Sequence, residues 1–235
     1  MTDRRLAAAP EGPVDVPDLV RASARDLDGL DAVWLNQLGG LTFRDGDRFL
    51  KWNPLGNGVD LADERARLEW MVQRHPVPEV LDFGRDDAGQ LLVTRALNGT
   101  GAVTDEWRGR PREAVRAIAE GLRALHDVPA SDCPFVCDWA ATGAPALAVV
   151  DVDVVVVQGD PCAPNTIIDA DARFAGHVDL GSLGTGDRWS DLAVASMSLG
   201  WNFGPGWESE FFAAYGVAPD PDRIRHYRAL WDAAP

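Results

Sequence analysis

Three oxygen-bearing side chains stand out for their order and spacing. The run Val157-Gln158-Gly159-Asp160-Pro161-Cys162-Ala163-Pro164-Asn165 ends an apolar, β-branched stretch on an Asp, and an Asn follows five residues later. Fourteen residues beyond Asn165, His177-Val178-Asp179-Leu180-Gly181 closes a second apolar stretch on another Asp. Asp and Asn oxygens are hard ligands suited to Mg²⁺, and a further carboxylate can take a proton from a substrate hydroxyl. Taken singly, each residue fits a turn after a strand. The three together, each at a strand end, specify a base carboxylate (Asp160) beside a two-ligand metal cradle (Asn165, Asp179).

A second signal comes from a lone residue type. Lys51 is the only lysine; the other 21 of the 22 basic residues are arginines. Arg-rich codon usage explains the arginines, but a retained ammonium also marks a site where a planar guanidinium fork does not substitute for a point charge. Glu64, in the first turn of the next predicted helix, is its candidate partner. A base Asp, a metal-binding Asn and Asp, and a Lys–Glu pair on a strand and the following helix are the parts of kinase-type phosphoryl transfer.

The elements that must carry these residues follow from periodicity and turn chemistry. Val16–Ala24 reads as a short helix. Strands are expected at 33–35, 41–43 and 48–52, with a break at Gly39-Gly40 and a tight turn at Asp45-Gly46-Asp47. Lys51 then falls on the third antiparallel strand. Leu61–Arg74 has helical spacing, with Leu61, Leu68, Met71 and Val72 on one side, and two more strands follow at 80–83 and 91–93. Asn98–Gly101 reads as a linker. Helices are expected at 113–126, 191–199, 208–215 and 222–231, and strands at 150–157, 167–168 and 174–178. The fold class is α+β and bilobal. A loose tail (1–14) precedes a small antiparallel-sheet N-lobe (15–96) and a mainly helical C-lobe (97–235).

Composition narrows the function classes. At 46% hydrophobic and 25% charged the chain is globular. No apolar stretch is long enough for a membrane span or a signal-peptide core, so a cytoplasmic protein is expected. With 37 acidic residues against 22 basic, the net charge of −15 disfavours nucleic acid and anionic membranes and favours a cationic partner. Cys133, Cys137 and Cys162 lack zinc-site spacing and are expected to be reduced thiols. The four histidines read as structural or surface residues. Walker A and dinucleotide-binding signatures are absent.

The chain resembles the aminoglycoside 3'-phosphotransferases, a kanamycin kinase-like family with a bilobal protein-kinase-like fold. The resemblance runs from about Val33 to the C-terminus. It is carried by Leu122–His126 with Asp132–Phe135, Gly159-Asp160 through Pro164-Asn165, Gly176–Gly181, Asp187–Ala193 and Ala214–Gly216. It implies an ATP- and Mg²⁺-dependent O-phosphotransferase acting on a polycationic aminoglycoside, a resistance-type enzyme, as a monomer or weak dimer. By the same resemblance Asp160 is the catalytic Asp, and Asn165 and Asp179 hold Mg²⁺. Lys51, steadied by Glu64, contacts the α- and β-phosphates; the turn containing Gly39 and Gly40 covers the nucleotide; backbone groups near Thr94 and Ala96 hold adenine. Asp191 and Gln158 support the catalytic loop, and Asp232 meets the substrate.

Four positions depart from the family pattern. Gln158 stands where the loop usually has His, and Ser182 where Arg is common. Only Val136–Val149 precede the catalytic strand, in place of a long helical segment that builds part of the aminoglycoside wall. The C-terminus reads Leu230-Trp231-Asp232-Ala233-Ala234-Pro235, without the usual acidic pair and terminal aromatics. A kinase of the same fold for another hydroxylated metabolite, or an inactive nucleotide-binding homologue, are the alternative readings.

Overall fold

The structure is a computed structural model and describes residues 10, 12–143 and 153–233. It divides into two compact units. The first comprises the described residues up to Glu69 together with Pro78–Ala96; the second comprises Trp70–Val77 and the chain from Leu97 onward.

The first unit is an antiparallel five-stranded sheet in the order β1-β2-β3-β5-β4, built from β1 (Asp31–Leu35), β2 (Leu41–Asp45), β3 (Arg48–Pro54), β4 (Val80–Arg85) and β5 (Gly89–Arg95). A short helix, α1 (Asp18–Ser23), precedes it. Alternation puts Leu41 and Phe43 of β2 and Leu50 of β3 on one face, where they pack with Val20, Leu91 and Val93. Lys51 lies on β3 opposite Thr42 and Leu92.

Helix α2 (Leu61–Met71) is pinned at its start. Asp60 Oδ1 accepts the Ala62 N–H and the Gln90 side-chain amide, both at 2.9 Å, and Gln90 Oε1 accepts the Leu61 N–H at 2.7 Å. These bonds satisfy donors that a helix N-terminus otherwise leaves open. They also fix the helix's rotation, so that Leu61, Glu64, Leu68 and Met71 form the buried stripe. The helix stops at Met71 rather than Arg74. Val72 lies in the following turn, where the Arg74 and His75 N–H groups both donate to the Met71 carbonyl, and it is exposed.

The second unit is mainly helical, with the long helices α4 (Pro111–His126) and α6 (Arg188–Phe203) buried along most of their length. Pro111 occupies the first turn of α4, where its missing N–H costs nothing. Gly121 of α4 lies against the Phe174 ring, a close approach that a Cβ would block. Asp187 caps α6 by accepting the Trp189 N–H at 3.0 Å. Helices α7 (Glu208–Tyr215) and α8 (Pro221–Ala233) complete the core through Phe211, Phe212, Tyr215, Ile224 and Tyr227.

Two small sheets present the loops of interest. Strand β7 (Val154–Val157) pairs with β10 (Gly184–Asp187); β8 (Thr166–Ile168) pairs with β9 (Phe174–His177) and with β6 (Thr100–Gly101). The stretch expected as a linker at 98–101 thus ends in a short strand. The strand expected over 150–157 is seen from Val154, and residues 150–152 lie outside the described residues, as do 144–149 and 1–9 of the expected segment and tail. Two short helices, α3 (Asp105–Arg108) and α5 (Asp138–Gly143), were not expected.

Candidate active site

In the first unit, Lys51 Nζ donates to Glu64 Oε2 at 2.7 Å. The Glu64 side chain is 7% exposed and the Lys51 side chain 24%, so the pair is largely buried. The register of β3 and the capped start of α2 bring the two together. The turn between β1 and β2 is organised by a residue absent from the expected set. Asn36 Oδ1 accepts the Leu38 N–H at 2.9 Å and the Gly40 N–H at 2.7 Å. A side chain at Gly40 would collide with the Asn36 and Asn53 amides, and Gly39 has φ +83°. Asn57 donates to the Leu38 carbonyl at 3.0 Å and exchanges hydrogen bonds with Asn53. Three Asn side chains therefore shape this turn.

Thr94 and Ala96 lie at and just beyond the end of β5. The Ala96 N–H is committed to the Asp47 carbonyl at 2.8 Å, so this backbone donor, expected among those that hold adenine, is spent inside the sheet unit. The cause is the tight β2–β3 turn, which carries the Asp47 carbonyl to the strand beside it.

In the second unit, the loop after β7 is held through many of its backbone groups. Asp191, on the first turn of α6 and fully buried, accepts the Gln158 N–H through Oδ2 at 2.7 Å and the Gly159 N–H through Oδ1 at 3.1 Å. Its Oδ2 also faces His126 Nε2 at 3.0 Å, and His126 Nδ1 meets the Tyr215 hydroxyl at 2.7 Å. The histidine in the Leu122–His126 stretch is thus a structural brace for Asp191. Gln158 is likewise fully buried. Its Oε1 accepts the Asp160 N–H at 2.6 Å, and its Nε2 donates to the carbonyls of Val178 and Asp179, each at 3.1 Å. An amide has two N–H donors and an acceptor on one group, which is what these three bonds use.

Asn165 Nδ2 donates to the Asp160 carbonyl at 2.9 Å, which leaves its oxygen as an acceptor. The Val178 N–H donates to the Asn165 carbonyl at 3.0 Å, which places Asp179 one residue past that pairing. Asp179 is exposed and adopts φ +59°, a left-handed conformation uncommon outside glycine. Asp160 and Asp179 both lie near enough to Cys162 for their charges to act on its thiol. Burial first, then the Asp160 charge, pushes that thiol far above its ordinary pKa. Cys162 is therefore a neutral thiol, not a nucleophile. A hard carboxylate and an amide oxygen around one loop fit a Mg²⁺ ion by donor chemistry.

Asp232 lies exposed near the end of α8. Its neighbour Trp231 stacks edge-on against Trp139 of α5, with ring centroids 5.4 Å apart. Trp139 in turn donates its indole N–H to the Gly159 carbonyl at 2.9 Å, a contact that no spacing rule signals.

A strand lysine paired with a helix glutamate in a small antiparallel sheet, followed by a helical unit with Asp160, Asn165 and Asp179 around one loop, is the protein-kinase-like architecture. The sequence matches a family described as the phosphotransferase enzyme family over residues 28–148 and 136–227. Among curated proteins it is 34% identical to an aminoglycoside 3'-phosphotransferase of Streptomyces fradiae, over 75% of this chain and 81% of that one. It is 32% identical to a streptomycin 3''-kinase of Streptomyces griseus, over 87% and 93% of the two chains. An aminoglycoside phosphotransferase of Streptomyces rimosus, solved also with ADP and streptomycin, superposes with a TM-score of 0.70 at 31% identity, covering 86% of this chain and 91% of that one. The chain belongs to the phosphotransferase enzyme family, and the relatives named here are kinases of aminoglycosides. Among the described residues no helix is long and apolar enough to cross a membrane.

Proposed function

We propose that this protein transfers the γ-phosphoryl group of ATP to a hydroxyl of an aminoglycoside, as a resistance-type kinase of the cytoplasm. The observation that carries the reading is the loop at 158–165. Its backbone is tied down by Asp191, Gln158 and Asn165, which fixes the place from which the Asp160 carboxylate acts.

Asp160 orients the acceptor hydroxyl and takes its proton as the oxygen attacks the γ-phosphorus; ADP leaves. Lys51, held in line by Glu64, binds the α- and β-phosphates, and the Asn36–Leu41 turn covers the nucleotide. Adenine is held by backbone of the Thr94–Ala96 stretch without the Ala96 N–H, which Asp47 occupies. Asn165 and Asp179 would hold Mg²⁺, which would supply positive charge to screen the phosphate oxygens. Asp232 and the net charge of −15 suit a polyamine acceptor.

The same chemistry on another hydroxylated small molecule is the second reading. It is favoured by the short run between Phe135 and β7, which leaves little chain for the long helical wall of the family. A coupled ADP-release assay across aminoglycosides and other alcohols tests the proposal. Acceptor-dependent ADP release with aminoglycosides, abolished in Asp160→Ala, is the expected result. Release only with other alcohols selects the second reading.

A further inference from the structure

The peptide between Gly159 and Asp160 is gripped on both sides. Its N–H, from Asp160, donates to Gln158 Oε1 at 2.6 Å, and its carbonyl, from Gly159, accepts the Trp139 indole N–H at 2.9 Å. Gly159 itself has φ +82°, and a Cβ there would collide with the backbone of Ser182, so only glycine fits. A glycine is also the residue around which a peptide plane turns most easily. Rotating this one would swing the Asp160 backbone and re-aim its carboxylate. Doing so requires breaking the bonds to Gln158 and to Trp139 together.

Trp139 is well placed to resist. It lies on α5, whose Ala140, together with Cys137 just before the helix, is buried against Val155 and Val157 of β7. Its ring meets Trp231 edge-on at 5.4 Å and Tyr227 at 6.4 Å, both on α8. Edge-to-face contacts of this kind fix ring orientation as well as burying area. The indole N–H is therefore aimed by a packed aromatic corner and not by a free surface side chain.

We infer that Trp139 is a positioning residue for Asp160: its indole N–H locks the Gly159–Asp160 peptide and links the aim of the carboxylate to the C-terminal helix α8. This rests on the catalytic role proposed for Asp160. It adds a residue contributed by the short run that stands in place of a longer segment in the relatives' pattern. The same link makes α8, which also bears Asp232, part of the machinery that sets the catalytic geometry.

Trp139→Phe is the discriminating variant, because it keeps an aromatic ring in the corner and deletes the donor; the exchange of α6 and α8 reports any loosening from the smaller ring. The expected result is a fall in kcat of about threefold to tenfold, the size of one hydrogen bond, with KM for ATP unchanged. Hydrogen exchange of the wild type and the variant gives a second reading that needs no acceptor. The amides of Gln158, Gly159 and Asp160 should exchange faster in Trp139→Phe, while those of α6 and α8 keep their protection. If the wild type phosphorylates no aminoglycoside, the proposed function fails, and exchange alone decides this inference. Unchanged exchange at Gln158, Gly159 and Asp160, or an equal loss of protection across α5, α6 and α8, would overturn it.

Discussion

The Gln158 side-chain amide donates to the Asp179 carbonyl at 3.1 Å, joining the loop that carries the base carboxylate to the segment that carries the candidate metal ligand. The family resemblance leads one to expect His at this position. A neutral imidazole offers one donor and one acceptor, whereas the amide here accepts from Asp160 and donates to two carbonyls. Gln158 thus makes three bonds in this loop, and the Asp179 backbone, at φ +59°, is held by one of them.

Gln158→Ala removes all three bonds in a fully buried setting. Unfolding free energy should fall by about 1–3 kcal/mol, because the Asp160 N–H and the two carbonyls lose their partner. Gln158→Glu should be at least as damaging to kcat, since a carboxylate oxygen would then face the Val178 and Asp179 carbonyls. Urea denaturation and steady-state kinetics on both variants check this. Full activity in Gln158→Glu would show that the amide donors do not matter.

Lys51→Ala should raise KM for ATP and lower kcat, and Lys51→Arg should not restore the parent values. Glu64 is 7% exposed at its side chain and meets the ammonium at 2.7 Å, a geometry fitted to a compact charge. A guanidinium would spread its donors past that single oxygen. Initial rates at varied ATP distinguish the cases. Parent-like kinetics in Lys51→Arg would return the lone lysine to codon usage.

The candidate set could be singled out in the sequence because Asp160, Asn165 and Asp179 flank short apolar strands and Glu64 falls in a first helical turn, where residue type and position speak together. Lys51 followed from three short strands and two turns, and Glu64 from the helix after them. What was not legible has a common cause. Strand β10 reads Gly-Thr-Gly-Asp, a loop composition, and becomes a strand only by pairing with the valines of β7. Helix α5 is six residues with a Thr-Gly end, too short for periodicity to register. Trp139 and His126 act through hydrogen bonds to groups that folding brings close, and Asn36 through two bonds within its own turn that residue type alone does not signal. The commitment of the Ala96 N–H to Asp47 likewise depends on a strand crossing that the local sequence does not announce.

His75 and His177 face each other in the second unit, with His75 Nε2 3.0 Å from His177 Nδ1 and the rings stacked at 5.1 Å. Burial, and secondarily the neighbouring His126, holds His75 down to about 4. The unfolded chain binds a proton at about 6.5, so between these values it binds more protons than the native state. The contribution to stability is complete above about pH 6.5 and is lost as pH falls toward 4. Its full size is on the order of 3 kcal/mol. In His75→Gln the stability gap to the wild type should be largest near pH 7 and shrink by pH 5, measured by urea midpoints. A gap independent of pH would contradict this.

The most direct measurement is the identity of the product. An aminoglycoside such as a kanamycin-type compound is incubated with the enzyme, ATP and Mg²⁺ and analysed by mass spectrometry. The account predicts an acceptor carrying one added phosphoryl group on oxygen, formed in step with ADP, and a rate lower by about 10²- to 10⁴-fold in Asp160→Ala. An unmodified acceptor, or product formed at the parent rate by Asp160→Ala, would contradict it.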